Sequence, residues 1–322
     1  MTKIWDNIPE IKNELNEVQE IIIKNLKTKN TKSIEKVIEH LLKANGKRVR
    51  AGLLILSAKI GEYDKDRILN LAASVEMIHL ATLVHDDIID DADTRRGIES
   101  IQHKFGKDSA VYTGDFIFAK AYRLLAGDYD LEENRITDGM EKVCLGEVFQ
   151  NENKFNTDIT VRKYLRIISG KTAAMFGLSM YAGAFESKLG HYKSRLIGYS
   201  GYYAGMAFQI IDDCMDYTNS LDKMGKNTRV DLFNGIYTLP IIYAVKNDTD
   251  NNIKNILNKK NINENHVKKV LHYVDEYKGV EQAIQLAEKY TKKSTDLINR
   301  IGNGKYVDIT QKVLQNLIKR KY

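Results

Sequence analysis

Apolar positions recur along this chain at helical rather than strand spacing. Few stretches alternate strictly between apolar and polar residues, which is the pattern of a half-buried strand. Only two prolines, Pro9 and Pro240, interrupt the sequence, and residues that favour helices dominate it. The pattern predicts an all-α fold, a single-domain bundle of roughly ten to thirteen helices over residues 1–322.

Short polar or glycine-containing breaks separate the predicted helices. They fall at Asn45-Gly46, Gly61–Asp64, Gly127-Asp128, Asn151–Asp158, Asn219–Gly235, Asn247–Asn252 and Gly302–Gly304. The sequence has no linker rich in Pro, Gly or Ser, no low-complexity block and no clean tandem repeat. These features favour one domain over two.

Three segments, Ile68–Val84, Thr172–Ala184 and Leu196–Ile211, are apolar on nearly every side. A helix of that kind lies inside a large protein. All three are rich in small residues, which either pack tightly or border an apolar cavity; composition alone leaves both interpretations open. The longest uncharged run, Leu196–Ile211, is shorter than the roughly 20 residues of a membrane span.

Charge and cysteine usage exclude some classes of protein. The net charge of +6 is modest, and we find neither a dense basic face nor a nucleic-acid-binding motif. The basic excess near the C-terminus predicts solvated helix faces and at most peripheral membrane contact. Cys144 and Cys214 lie in apolar-periodic segments, and no secretory signal is recognisable, which predicts a reducing, cytoplasmic setting.

The first of two aspartate clusters follows the first apolar segment. It contains Asp86, Asp87, Asp90 and Asp91, so the spacing predicts that Asp86 shares a helix face with Asp90, and Asp87 with Asp91. Like charges at this spacing repel, and the C-terminus of a helix disfavours anions. Folding alone does not favour this arrangement, but a bound cation compensates it.

The second cluster repeats the design after the third apolar segment, with Asp212, Asp213 and Asp216. Two such clusters are much less easily explained as acidic helix ends than one. Carboxylates are hard ligands suited to Mg²⁺, which commonly binds through one or two of them plus phosphate oxygens. The sequence therefore predicts several magnesium ions with a diphosphate between facing carboxylates. No His/Cys cluster has the ligand spacing of a zinc site.

Basic residues that could bind phosphate oxygens lie close in sequence to the apolar segments and the aspartate clusters. Gly46–Arg50 contains Lys47, Arg48 and Arg50 just before an apolar helix, and Arg95-Arg96 follows the first aspartate cluster. Lys171-Thr172 is predicted to open the second apolar helix, and Gly225-Lys226 follows the second cluster. Each pair alone is typical of a surface charge, but together they match the needs of two diphosphates.

The order and spacing of these residues resemble the trans-isoprenyl diphosphate synthases, or polyprenyl synthetases, over essentially the whole chain. The residues that carry the resemblance are Gly46–Arg50, Asp86–Gly97, Gly170–Ala173, Phe208–Asp216, Gly225-Lys226 and Thr238–Pro240. Cys144–Gln150 and Lys154–Asn156 are similar to the catalytic larger subunit of bacterial hexaprenyl and heptaprenyl synthases. Those enzymes pair it with a small non-catalytic subunit.

The resemblance implies a magnesium-dependent enzyme that joins isopentenyl diphosphate to an allylic diphosphate, in a helical fold around a central apolar cavity. It implies that Lys47, Arg50, His79 and Arg96 hold the first diphosphate, and Arg95, Lys171 and Lys226 the second. It also implies about three Mg²⁺ ions, bound directly by Asp86, Asp90 and Asp212 and supported by Asp87, Asp213 and Asp216. By the same resemblance Thr172 and Gln209 lie near the allylic C–O bond. His79 alone would be typical of a core histidine.

The chain departs from the family pattern in places. Arg229 replaces a small residue, Ile236 stands where many relatives have lysine, and Ala51 replaces a proline. Small residues near Asp86, including Ala81 and Thr82, predict an open tunnel beside the first aspartate helix. We therefore expect a product of six or seven isoprene units, with farnesyl diphosphate as primer and menaquinone synthesis as the destination implied by resemblance.

Other interpretations fit less of the sequence. A homodimeric geranylgeranyl diphosphate synthase is the main alternative to a heterodimer with a small subunit. A class I terpene cyclase lacks the basic motifs for a second substrate, and a non-catalytic subunit typically loses the aspartates. A divalent-ion-binding protein would leave Lys47, Arg50, Arg95, Arg96 and Lys171 unexplained.

Overall fold

A computed structural model describes residues 4–28, 32–44, 46–126, 134–218, 231–259 and 262–318. Over these residues the fold is all-α, as the sequence predicts. The helices are α1 (Pro9–Leu26), α2 (Lys32–Leu42), α3 (Val49–Ala58), α4 (Lys65–Ile89), α5 (Ile101–Phe105), α6 (Lys107–Leu125), α7 (Asn134–Glu152), α8 (Val161–Ile168), α9 (Ala174–Glu186), α10 (Gly190–Thr218), α11 (Leu239–Asn247), α12 (Asn252–Leu257), α13 (Glu264–Glu276), α14 (Gly279–Asn299) and α15 (Lys305–Ile318).

The described residues form fifteen α-helices, more than the ten to thirteen that the breaks predict. The excess arises from short helices such as α5, with five residues, and α12, with six. Helices this short have too few turns to show an apolar period. The predicted break at Gly127-Asp128 and most of the one at Asn219–Gly235 lie outside the described residues.

The chain divides into two compact units. Unit 1 comprises Met1–Glu132 and Ser179–Ser194, and unit 2 comprises Glu133–Leu178 and Arg195–Tyr322. In unit 1, α4 packs against α1, α3, α5 and α6; in unit 2, α11 packs against α13 and α14. The single domain over residues 1–322 stays a prediction, as does the central cavity.

Helix α4 has defined stops at both ends. The Asp64 side chain caps its start by accepting a hydrogen bond from the Arg67 N–H at 3.2 Å. At its end Asp91 adopts a left-handed conformation (φ 48°), and the Ala92 N–H donates to the Asp87 carbonyl at 2.9 Å. The helix therefore ends before Asp91, and the expectation that Asp87 and Asp91 share a helix face is wrong.

Helix α4 is also long and apolar enough to cross a bilayer by length and composition. However, 61% of its most apolar window is buried inside the protein. The core helix of a soluble protein passes the same test, so this feature is weak evidence for a membrane span.

Candidate active site

A two-stranded hairpin positions the arginines that follow the first aspartate cluster. Strand β1 (Thr94–Arg95) pairs antiparallel with β2 (Ile98–Glu99). Arg96 and Gly97 form the turn with φ values of 52° and 83°, the positive pair of a type I′ turn. Arg95 thereby reaches back to α4, and its Nε donates to Asp87 Oδ1 at 2.7 Å.

The four carboxylates of the first cluster fall into different environments. Asp87 is buried, 4% exposed, and is paired with Arg95; burial raises its pKa while Arg95 opposes the rise. Asp86 is half-buried and Asp90 is exposed, one helical turn further on. Asp91 turns away and forms an ion pair with Lys107 at 2.8 Å. Asp86 and Asp90 are therefore more exposed than Asp87 and lie one helical turn apart at the helix end.

The basic loop, Gly46–Arg50, whose last two residues are the first two of α3, lies close to α4. The Ala51 N–H donates to Glu76 Oε1 of α4 at 3.0 Å, which ties the start of α3 to α4. A side chain at Gly46 would collide with the Arg96 guanidinium, so the hairpin turn contacts the loop. Glu76, which the sequence analysis did not single out, is the carboxylate shared by these cations.

The loop and the hairpin together concentrate positive charge. Burial lowers the pKa of Arg50 to about 10; Glu76 opposes this and Arg96 adds to it. The pKa of Arg48 is lowered in the same way. The arginines remain protonated near neutral pH and outnumber Glu76, so this part of unit 1 suits an anion with several oxygens.

His79 lies on the same stretch of α4. Its pKa is held well below 6.5, first by burial and then by the charges of Arg50, Arg96 and Arg95. A neutral imidazole among arginines can donate one hydrogen bond and accept another. The structure therefore brings Lys47, Arg50, His79, Arg95 and Arg96 into unit 1 with the first aspartate cluster.

Acid should destabilise the unliganded protein through His79. The unfolded chain takes up a proton near pH 6.5, while the folded protein resists it to lower pH. The free energy of unfolding should therefore fall as pH decreases below 6.5, by at most about 1.4 kcal/mol per pH unit from this group. Urea unfolding measured across this pH range checks the prediction, and His79→Gln should reduce the pH dependence of the free energy of unfolding. An equal pH dependence in the variant would contradict the attribution of this effect to His79.

In unit 2, Lys171 and Thr172 lie on a turn of unusual width. Residues Ser169–Ala173 form a π-helical turn that joins α8 to α9 without a break. The prediction that Lys171-Thr172 opens a helix is therefore wrong, and free backbone donors of a helix N-terminus are not available there. Single π turns inside α-helices are frequent at functional sites. Here the turn directs Lys171 to Glu147 of α7, at 3.0 Å.

Glycines on two neighbouring helices allow this turn to fit. A Cβ at Gly146 of α7 would lie 2.7 Å from the Lys171 backbone nitrogen. A Cβ at Gly205 of α10 would lie 2.7 Å from the Ala173 Cα. The π turn is therefore held between backbones that approach closely, which fixes the positions of Lys171 and Thr172.

Gly146→Ala should destabilise the protein by about 1–3 kcal/mol, because backbone rather than a flexible side chain must move. Gly139→Ala, on the same helix, is the matched control. Its Cβ would meet the end of the Leu178 side chain at 2.6 Å, which can rotate away. Alanine also favours helix by about 1 kcal/mol over glycine, so Gly139→Ala should be neutral or stabilising. Urea denaturation of both variants measures the difference; equal midpoints would contradict this packing.

A chain of hydrogen bonds links Thr172 to the second aspartate cluster. Thr172 Oγ1 donates to Gln209 Oε1 at 2.7 Å, and Gln209 Nε2 donates to Asp213 Oδ1 at 2.7 Å. The Tyr164 hydroxyl donates to Asp213 Oδ2 at 2.6 Å. Burial raises the pKa of Asp213 to about 7, although both hydrogen bonds oppose the rise. Burial and the Asp213 charge raise the pKa of Tyr164 well above its ordinary value.

The other members of this cluster are more accessible. Asp212 is exposed and Asp216 is half-buried, both in the last turns of α10. Lys171, Thr172, Gln209 and the three aspartates thus share unit 2. Lys226 and Arg229 lie outside the described residues.

Sequence reasoning did not find Tyr164 or Glu147 as partners of the site. Tyr164 lies on α8, and its hydrogen-bond partner Asp213 lies 49 residues further along the chain on α10, so no local spacing indicates the pair. Glu147 lies within the segment similar to the larger subunits, but nothing in its spacing indicates that it pairs with Lys171. Within the described residues, no three His, Cys, Asp or Glu side chains are already assembled around a metal position.

Comparison with known proteins adds independent information. Residues 31–274 match the family model for polyprenyl synthetase. The chain is 34% identical over 284 residues to heptaprenyl diphosphate synthase component 2 of Bacillus subtilis (strain 168), covering 88% of this chain and 81% of that protein.

Solved structures show the same fold over nearly the full length. Heptaprenyl diphosphate synthase from Staphylococcus aureus superposes with a TM-score of 0.89 at 32% identity, covering 97% of this chain and 99% of that one. Geranylgeranyl pyrophosphate synthase from Lactobacillus brevis ATCC 367 superposes with a TM-score of 0.91 at 30% identity, covering 99% of both chains.

Proposed function

Because the chain belongs to the polyprenyl synthetase family of trans-prenyltransferases, we propose that it elongates an allylic diphosphate with isopentenyl diphosphate. The product we propose is an all-trans hexaprenyl or heptaprenyl diphosphate, and the primer farnesyl diphosphate. The similarity to a heptaprenyl synthase component over most of the chain supports a long product.

The observation that carries this proposal is a design repeated in both units. Each aspartate cluster has one buried carboxylate tied to neighbouring side chains and a more accessible one beside it. Asp87 is tied to Arg95 next to Asp86, and Asp213 is tied to Tyr164 and Gln209 next to Asp212. The tied carboxylate keeps its helix turn in place, and its neighbour is more exposed to solvent, where a metal ion could reach it.

The donor set fits magnesium. Asp86, Asp90 and Asp212 offer hard oxygen donors in numbers that leave room for phosphate oxygens and water. Both Asp213 oxygens already accept hydrogen bonds, which favours Asp213 as a residue that positions the metal ligands over one that binds the metal directly. When bound, magnesium supplies positive charge that makes a diphosphate a better leaving group.

The chain's own residues would then bind and orient the two substrates. Arg50, His79 and Arg96, with Lys47, would hold the diphosphate of isopentenyl diphosphate through the positive charge around Glu76. Lys171, Arg95 and Lys226 would hold the allylic diphosphate. Thr172 and Gln209, fixed by their mutual hydrogen bond, would face the reacting carbon. Preorganised charge and exclusion of water are the protein's contribution to ionisation of the C–O bond.

Partners and location are part of the same proposal. The relative from Bacillus subtilis is named component 2 of its synthase, which supports a heterodimer with a small non-catalytic subunit. We propose a cytoplasmic enzyme in quinone side-chain synthesis. The comparable superposition on a geranylgeranyl pyrophosphate synthase favours, as the second candidate, a homodimer with a shorter product.

The test is incubation with labelled isopentenyl diphosphate, farnesyl diphosphate and Mg²⁺, with and without the small subunit of a heteromeric synthase. We expect labelled products of six or seven isoprene units, and none once a chelator removes the metal. Products of four units without the small subunit would favour the second candidate. Absence of any elongated product under all conditions would contradict the proposal.

A further inference from the structure

The N-terminal segment contacts the basic loop through a tryptophan. Trp5 precedes α1 and is buried, with 8% of its surface exposed. Its indole Nε1 donates a hydrogen bond to the Lys47 carbonyl oxygen at 2.9 Å. It is the chain's single tryptophan, so the only indole in the protein is bound to the backbone of this loop.

Packing fixes the indole ring in this position. A side chain at Gly52 would collide with the six-membered ring of Trp5, so the ring lies directly against the backbone of α3. The Gly52 N–H donates to the Arg48 carbonyl at 3.0 Å in the first turn of that helix. Trp5 therefore contacts both the loop and the helix turn that the loop enters.

A second contact from α1 holds the next residue of the loop. Arg48 Nε donates to Gln19 Oε1 at 3.0 Å. Arg48 has a φ of 46°, a left-handed conformation that a residue with a side chain adopts only when its surroundings hold it there. The contacts of Trp5 and Gln19 on successive residues supply such a constraint.

We propose that Trp5 is a positioning residue for isopentenyl diphosphate binding. By holding the Lys47 carbonyl, Trp5 fixes the backbone from which the Lys47 and Arg50 side chains extend. The fluorescence of its indole should therefore change when an anion binds there. The inference rests on the proposed function, because it takes the anion at this loop to be the diphosphate of isopentenyl diphosphate.

The wild-type protein provides the first measurement. Since the chain has one tryptophan, its tryptophan emission comes from Trp5 alone. Titration with isopentenyl diphosphate should change this emission saturably, with the same midpoint as calorimetric binding. This measurement needs no variant, so it can contradict the proposed role of Trp5 even where a Trp5 variant fails to fold.

Trp5→Phe provides the second measurement, because phenylalanine keeps an aromatic ring but cannot donate the hydrogen bond. Loss of one hydrogen bond should raise KM for isopentenyl diphosphate about fivefold. KM for farnesyl diphosphate and kcat should stay within about twofold, since uniform binding of one substrate is what is lost. Gln19→Met, which removes the acceptor for Arg48, should act in the same direction.

Ile11→Val is the matched control, since Ile11 is fully buried on α1 and its apolar side chain offers the loop no hydrogen bond. It should lower stability and leave both KM values unchanged. Unchanged emission alongside clear calorimetric binding, or equal effects of Trp5→Phe on both KM values, would overturn the inference and leave the proposed function intact. No calorimetric binding and no elongated product from the wild type would overturn the proposed function and this inference with it.

Discussion

Asp86→Asn should lower kcat for prenyl transfer about 10³-fold or more, because metal-assisted charge stabilisation supplies several kcal/mol. Asparagine keeps the size of the side chain but removes the charge that attracts a cation. Asp86 is half-buried at the end of α4, beside an aspartate already neutralised by Arg95. Steady-state kinetics with saturating substrates and Mg²⁺ measure the effect, and the thermal midpoint checks that the variant is folded.

Asp91→Asn is the matched control for this substitution. Asp91 belongs to the same run of aspartates, but it lies past the helix end and pairs with Lys107. Asparagine tolerates the left-handed conformation that this position requires. We expect kcat to change less than about twofold, because this solvent-exposed ion pair with Lys107 contributes little to stability and nothing to chemistry. A loss like that of Asp86→Asn would contradict the assignment of the ligands.

Combining Asp86→Asn with Asp212→Asn tests the proposal that the two clusters act on one diphosphate. Asp212→Asn should also lower kcat strongly, and the double variant should lose less than the sum of both effects in free energy. Residues that act as a unit are grossly non-additive, whereas independent sites add within about 0.5 kcal/mol. Additive losses would contradict the proposal that both clusters act on one diphosphate.

Substitutions at Ala81 should shorten the product in proportion to their size. Ala81 is fully buried on α4. It lies on the same helix face as Ser74, which donates to the Ala121 carbonyl of α6 at 3.0 Å, and His85, which lies against Gly114. One turn of helix is about 5.4 Å, so a ring at this position would close the proposed tunnel soon after Asp86. The series Ala81→Val, Ala81→Leu and Ala81→Phe should give progressively shorter labelled products.

The shortening of the product has to be distinguished from the general destabilisation that a larger side chain causes in a packed core. A larger side chain in a packed core costs about 1–3 kcal/mol whether or not a tunnel is nearby. Ala72→Leu provides that comparison, since Ala72 is equally buried on α4 and, nine residues before Ala81, lies on the opposite side of the helix. It should lower the thermal midpoint without changing product length. Unchanged product length along the Ala81 series would refute the tunnel.

The sequence predicted best the aspartates that occupy positions unfavourable for helix stability. Asp86 and Asp90 near a helix C-terminus oppose the helix dipole, and the two clusters do so at two apolar helices. The all-α fold and the family followed from the same local patterns. These features depend on spacing along one helix, which the chain fixes without distant contacts.

Features that depend on distant contacts were missed. The π turn at Ser169–Ala173 requires close approach of Gly146 and Gly205, which come from other helices. The left-handed turn at Asp91 ends α4 although the aspartate pattern continues. Glu76 and Tyr164 become parts of the site only through hydrogen bonds to residues far along the chain.

The sequence by itself determined which charged groups are present: two carboxylate clusters, several basic pairs and the apolar helices beside them. The tertiary structure decided which carboxylate in each cluster is buried and tied and which is accessible. It also decided that Trp5 holds the basic loop. The physical reason is that charge and helical period are local properties, whereas burial and hydrogen-bond partners arise only when separate helices pack together.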